Sequence, residues 1–509
     1  VFLILILWLR FGETENGSSK ELDFSKLKIF FRRREFSNSA WNIADVILLP
    51  FLMLLFTPFF IKNLGTDQYG IWMFVNSIIA SIGIVNMGLG DASIKFVSKY
   101  RALNDTPNIN RIVNTTFSLS LFLLLIIILL GIGVAFSVEN FNLFNLNDTN
   151  RSVASSAIQL GSIIFGLRQI EQVILATFRG YERYDNASQI SMTSKTVLLF
   201  SQIITVYLGY HLVELYTVSV ISSTLMIVGE IIFSKFKYRK ISFFPTIKRQ
   251  SIKEIFSFSS WSWTQSVMGI IVGHVDRLII ITLAGPTFLA YYALASTVGT
   301  QIHTIFTASV SWVFPKVSGK TERKEDLASL YYKMQLLIII LGTIAVAILI
   351  LFEYPIFYTW LGTETYTNSI LYIRLFLFLA FFNMLSIIPY YFLLGANLIR
   401  ISALFMFISV VFTIGFMIAG YHITDVEGLA YGKFLASLVS IPLMLMFVHY
   451  KIIDKVNIYS GLKVYLPSVL IAISIYFFNL VSIPLFIGGV VLLWFLYKER
   501  VLKTSVAKI

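Results

Sequence analysis

The chain has 509 residues, of which 57% are hydrophobic and 13% charged, and its mean hydropathy is +0.79. A charged share near half that of a soluble domain excludes a water-soluble globular protein. The absence of cysteine removes disulfides, thiolate nucleophiles and sulfur-ligated metals. A net charge of +13 would suit a nucleic-acid binder, but the placement of the Lys and Arg residues gives it another meaning.

The first residues, VFLILILWLR, offer nine apolar positions before Arg10, too few to cross a bilayer, and are read as an upstream extension. Lys20–Glu35, KELDFSKLKIFFRRRE, reads as a basic amphipathic segment lying on the membrane surface. Apolar stretches then follow at 41–61, 69–94, 113–138, 153–178, 186–208, 213–234, 256–284, 287–314, 334–352, 369–394, 401–420, 427–450, 464–478 and 481–497. Most can cross about 30 Å of hydrocarbon as helix, and none alternates with period two, so the expected fold is all-α with about 14 spans. The last two are short and meet at Asn479. Pro50, Pro58, Pro315 and Pro389 should bend the helices that hold them.

Of the 40 Lys and Arg residues, 32 fall in tails and loops that fourteen spans would put on one side, and only Lys62 and Arg151 fall in the opposite loops. That asymmetry marks the cytoplasmic side, with both termini on it, and makes the net charge a topology signal plus attraction to anionic lipid. The longest loops run to about 20 residues, too short for an extramembrane catalytic domain.

The hexapeptide FSNSAW at 36–41 returns as FSFSSW at 256–261, and Gly65 and Gly285 each follow the Trp of their copy by 24 positions. An offset of 220 implies two copies of six spans. Six is even, so the copies are parallel and related by an axis along the membrane normal, the arrangement of an alternating-access transporter. The expected organisation is a cytoplasmic tail (1–40), an N-lobe (41–250), a C-lobe (251–450) and two further spans with a tail (451–509).

Three segments, MGLGDASIKFVSKYRA (87–102), FRGYERYDNASQI (178–190) and VDRLIIITLAGPTFLAYYALA (275–295), resemble bacterial polysaccharide flippases of the multidrug/oligosaccharidyl-lipid/polysaccharide exporter superfamily. Where that family often has Asp-Leu-Gly-Leu, this chain has Asn86-Met87-Gly88-Leu89. With the topology, the resemblance covers about 36 to 500. It implies a transporter of the bacterial inner membrane, not an enzyme, that moves an undecaprenyl-pyrophosphate-linked oligosaccharide from the cytoplasmic to the periplasmic leaflet. The implied partners are that substrate, membrane lipids and other polysaccharide assembly proteins, with no nucleic acid, and the only cofactor is a coupling H⁺ or Na⁺. A peptidoglycan-precursor flippase and a multidrug antiporter share the frame. An integral-membrane polymerase or glycosyltransferase would need carboxylates on a sizeable periplasmic loop, and 353–368 supplies only Glu353 and Glu364.

Charges inside spans are costly and face a cavity or a partner. Arg168 and Lys195 fall about 14–15 Å from the cytoplasmic ends of spans four and five, at one depth, where an Arg fork and a Lys point charge would suit a phosphate. Arg277 and Arg374 are shallower, about 10 Å and 8 Å from the opposite ends of their spans. These four are the candidate cavity cations. Glu171, three residues after Arg168, allows the alternative of a helical ion pair, with Lys195 on a backbone carbonyl. Glu171, Asp276 and Asp45 are the candidate coupling acids, while Asp91 and Glu230 read as interfacial. The histidines show no metal-binding spacing.

Overall fold

In hydrocarbon every backbone N–H and C=O must be bonded within the chain, which leaves the helix as the element available to continuous apolar runs. The computed structural model describes residues 34–85, 88–141, 143–237, 241–246 and 248–453, and among these there is no strand. The helices of the first half are α1 (Arg34–Leu64), α2 (Thr66–Ile82), α3 (Leu89–Ala102), α4 (Thr106–Asn140), α5 (Asp148–Gly180), α6 (Tyr184–Tyr207) and α7 (Leu212–Lys237). The second half holds α8 (Arg249–Val310), α9 (Val313–Glu322), α10 (Ala328–Leu351), α11 (Thr363–Leu385), α12 (Ile387–Gly395), α13 (Ile399–Thr424) and α14 (Val426–Val448). Twelve of the expected spans lie in these helices. Residues 464–478 and 481–497, and the amphipathic segment before Arg34, lie outside the described residues.

Helix ends follow local chemistry. Asp105 caps α4 by accepting from the Asn108 N–H at 3.0 Å, with Pro in the first turn, and Asn147 caps α5 through the Asn150 N–H at 2.8 Å. Span two, expected as one run, is broken: α2 tightens into a 3₁₀ turn at Gly83–Val85, and Gly88, with φ +64°, starts α3. Span ten breaks similarly at Ser386, three residues before Pro389. Conversely, α8 carries two spans that meet at Gly285, whose φ of +80° and ψ of −178° reverse the chain in one residue. Gly65 joins α1 to α2 with φ +85° and ψ 155°. Side chains other than hydrogen are strained in both places.

The duplication is written into the backbone. Besides Gly65 and Gly285, the left-handed residues Asn104 and Lys324 are 220 positions apart, and Glu182 and Asn397, with φ of 58° and 59°, are 215 apart. Helix packing repeats in the same way. A Cβ on Gly180 would stand 2.7 Å from Val97, and one on Gly395 would stand 2.5 Å from Val317. Each glycine lets the end of one helix, α5 or α12, close on the short helix that continues span two or span eight of its own half, α3 or α9.

The surface sorts the helices by solvent. On α4 the exposed positions include Phe122, Leu125, Leu129 and Leu130, and on α13 Leu404, Phe407 and Val411, as acyl chains require. On α5 every exposed residue is polar: Asp148, Thr149, Ser152, Gln159, Arg168 and Gln172. Nine helical stretches among the described residues are long and apolar enough to cross a membrane, the one at Val267–Val310 holding two spans, and α5 and α6 are not among them. On α6 the exposed positions pair Gln189 and Thr193 with Val197, Phe200 and Ile204, so the all-polar exposed face belongs to α5.

The halves touch toward the basic end, where the Trp263 indole donates to the Ile84 carbonyl at 2.6 Å, and again at the end of the bundle opposite the basic loops. There Asp67 accepts from the Thr287 hydroxyl at 3.1 Å, the Asn145 N–H donates to the Ile281 carbonyl at 3.3 Å, and the Trp360 indole donates to the Leu55 carbonyl at 3.4 Å. A Cβ on Gly70 would overlap the Pro286 carbonyl oxygen at 1.9 Å, so backbone meets backbone.

Candidate functional site

Charged groups gather in one cluster per half. In the first half, Asp45 of α1 is buried and holds two cations: Lys195 Nζ lies 2.6 Å from its Oδ1 and also donates to its backbone carbonyl at 3.1 Å, and Arg179 Nη2 lies 3.6 Å from its Oδ2. An ammonium so close to a buried carboxylate is neutralised where it sits. Arg168 is exposed on α5 and makes no hydrogen bond or ion pair among the described residues; its electrostatic neighbours are Glu171 of the same helix, which is hydrogen-bonded to Ser194 of α6, and Tyr216. Of the two cations that the sequence placed on one phosphate, Lys195 pairs with Asp45, and Arg168 makes no ion pair among the described residues, while both lie within electrostatic reach of Glu171. The carbonyl contact expected for Lys195 is present, on Asp45 itself.

Glu230 of α7, expected at the interface, is instead 3% exposed, has no hydrogen bond to either carboxylate oxygen, and is electrostatically coupled to Glu171. Its distance from the helix end, counted in residues, gave no sign that neighbouring helices would cover it.

In the second half, Asp276 is buried, accepts from the Tyr292 hydroxyl at 2.8 Å and from the Arg277 N–H at 2.9 Å, and lies 3.5 Å from Lys433 Nζ. The Arg277 guanidinium forms no hydrogen bond or ion pair among the described residues; its Nε is buried, and it lies within electrostatic reach of Tyr69 of α2 and Tyr292. Arg374 grips Glu353 through two contacts of 2.6 Å, and the Tyr366 hydroxyl donates to the same carboxylate at 3.1 Å. Such a bidentate pair ties α11 to the end of α10. Of the four expected cavity cations, two are paired and two, Arg168 and Arg277, are not.

Sequence reasoning missed Lys433, a lone Lys seven residues into an apolar run, which was the available signal. Arg179, counted with the loop that follows span four, belongs to α5 and reaches Asp45.

The same half encloses a cavity of about 410 Å³ between α8, α11, α12, α13 and α14. Thr300, His303, Asn383, Ser386, Ser409 and Ser437 supply its polar wall, and Phe376, Phe405 and Tyr390 its aromatic wall. Among the described residues, no three His, Asp or Glu side chains converge as a metal site would need.

Residues 64–370 match the family described as "Polysaccharide biosynthesis protein". The "Putative O-antigen transporter" of Shigella flexneri is 23% identical over 372 residues, 72% of this chain and 86% of that protein. The "Uncharacterized membrane protein EpsK" of Bacillus subtilis is 20% identical over 262 residues, about half of each chain. Among solved structures, an inward-facing MATE multidrug transporter of the MOP superfamily superposes with TM-score 0.63 at 15% identity, covering 82% of this chain and 94% of its own. The lipid II flippase MurJ in an inward closed conformation gives 0.61 at 15% identity, covering 93% of this chain and all of that one. With more than half its length matched and a MOP-superfamily fold along most of it, the chain belongs to the polysaccharide biosynthesis protein family of multi-pass membrane proteins.

Proposed function

We propose that the protein is a flippase that carries a polyprenyl-pyrophosphate-linked oligosaccharide, with undecaprenyl as the lipid, from the cytoplasmic to the periplasmic leaflet of a bacterial inner membrane. The basic end of the bundle faces the cytoplasm, and the halves 41–250 and 251–450 rock to open the space between them to either side. A sugar chain and a pyrophosphate cannot cross hydrocarbon without water and counter-charge. The polar exposed face of α5 supplies the first.

The observation that carries the reading is the pair of unpaired guanidinium groups, Arg168 in one half and Arg277 in the other. A guanidinium at membrane depth that makes no hydrogen bond or ion pair keeps its donors free, and an anionic ligand can take them up. A guanidinium fork fits phosphate oxygens in pairs. Glu171 is the acid best placed to couple an H⁺ or Na⁺ to that event, since it lies beside Arg168.

The test uses proteoliposomes loaded with an undecaprenyl-pyrophosphate-linked oligosaccharide, following how much of the sugar becomes accessible to an impermeant reagent. Protein-dependent exposure that falls in the Arg168→Gln and Arg277→Gln variants is the expected result. Equal exposure with and without protein would overturn the reading. A peptidoglycan-precursor substrate is the second reading, favoured by the superposition on the lipid II flippase over its whole length. Substituting lipid II in the same assay separates the two.

A further inference from the structure

We propose that the cavity of the second half is a binding subsite for an uncharged sugar unit, the neutral counterpart of the charged cluster around Arg168. The proposal rests on the flippase reading above and assigns the sugar and the pyrophosphate to different halves of the protein.

The first argument is positional. Gly180 and Gly395 make equivalent helix contacts 215 positions apart, and Glu182 and Asn397 repeat the same left-handed turn at that spacing. The same offset carries Arg168 to Asn383, Glu171 to Ser386, and Ser194 to Ser409. All three second-half residues line the cavity. The duplicated chain brings the same positions together twice, with a cation and an acid beside Ser194 in one copy and an amide and a hydroxyl in the cavity wall of the other.

The second argument is chemical. Close-packed interiors leave few voids larger than a water molecule, and about 410 Å³ lies within the roughly 300–1,000 Å³ of ligand pockets. The Asp and Lys of the lining, Asp276 and Lys433, lie 3.5 Å apart and cancel, so neither an anion nor a cation gains by entering. A lipid tail would strip water from the polar wall and return nothing. The Thr300 and Thr307 hydroxyls already donate to the Ser296 and His303 carbonyls, at 2.6 Å and 2.9 Å, and so present acceptor lone pairs to the cavity. The Asn383 amide offers both donors and an acceptor. Hydroxyls that donate and accept at once, on a ring with apolar faces for Phe376, Phe405 and Tyr390, are what this lining complements.

The experiment measures binding to the full chain in nanodiscs. The probes are bare undecaprenyl pyrophosphate and the same lipid carrying one glucose, galactose or N-acetylglucosamine. Wild-type protein should bind at least one glycosylated probe about tenfold more tightly than the bare lipid. Thr300→Trp, which fills the cavity, should abolish that preference while leaving affinity for the bare lipid unchanged. Asn383→Leu, of similar size, should reduce it in the same direction and so covers distortion by the larger side chain. Arg168→Gln should weaken all probes by a similar factor and keep the preference. A preference that survives both cavity variants, or is absent for all three sugars in wild type, overturns the sugar subsite even where Arg168→Gln still weakens the bare lipid. Failure of Arg168→Gln to weaken the bare lipid overturns the pyrophosphate assignment instead.

Discussion

Asp67 and Thr287 are hydrogen-bonded at 3.1 Å and stand 220 positions apart, the offset of the repeated hexapeptide. Equivalent positions of two related halves can touch only close to the axis that relates them. The contact therefore marks that axis at the end of the bundle opposite the basic loops, where Asp67 also accepts from the Asn150 side-chain amide at 2.6 Å.

Alternating access requires this end to part. In a chain without native cysteine, Asp67→Cys with Thr287→Cys should cross-link readily and stop transport, and reduction should restore it. Normal transport by fully cross-linked protein would show that this end does not open.

Arg168→Gln should reduce surface polysaccharide with protein level unchanged. Losing one charge-assisted contact of about 1.5–3 kcal/mol weakens binding by roughly ten- to a hundredfold. Arg168→Lys keeps the charge without the fork and should recover part of the loss. If adding Glu171→Gln to Arg168→Gln restores full function, Arg168 serves only to neutralise Glu171 and the binding role falls.

Lys195 should behave in the opposite way. Lys195→Met leaves a buried carboxylate with only the longer Arg179 contact, and breaking a buried pair from one side costs about 3–5 kcal/mol. Abundance and melting temperature should drop, and Asp45→Asn in the same chain should bring them back. A stable Lys195→Met protein with a pure transport defect would place Lys195 on the substrate after all.

Two acids outside the membrane sit at equivalent positions, each after a left-handed residue: Asp105 and Glu325. Hydrogen bonds from Asn108 hold the Asp105 carboxyl below its ordinary value, and those from Lys320, then Arg323, do the same for Glu325. A depressed folded-state value means that the contribution to stability is present above the unfolded values and lost as pH falls through the folded ones. The melting difference between wild type and Asp105→Asn/Glu325→Gln should thus stay constant from about pH 7 to 5 and shrink below about pH 4. A difference that grows on acidification would reverse the assignment.

Much of the fold was legible because the residues that set it act locally. Gly65 and Gly285 reverse the chain whatever surrounds them. The break in span two was signalled by Gly83 and Gly88 but hidden by an apolar run that continues through both. The site divides along the same line. Arg168 and Glu171 are neighbours by helical spacing alone. Asp45 and Lys195 meet across 150 positions through the packing of α1 on α6, which no periodicity encodes. Arg374 was found but not its partner Glu353, since a turn of π-helix (Tyr354–Tyr358) and a short helical turn (Thr359–Leu361) lie between them.

The pairing of Asp276 with Lys433 bears on competition for a free ion. A buried carboxylate at membrane depth attracts any small cation that can reach it. Here an ammonium on a neighbouring helix is already present at an effective concentration on the order of millimolar, and it cannot diffuse away. Any ion from solution must outcompete a rival that the chain carries with it. Lys433→Met would release that position, and a sodium dependence acquired by the variant would measure how strongly the built-in cation holds it.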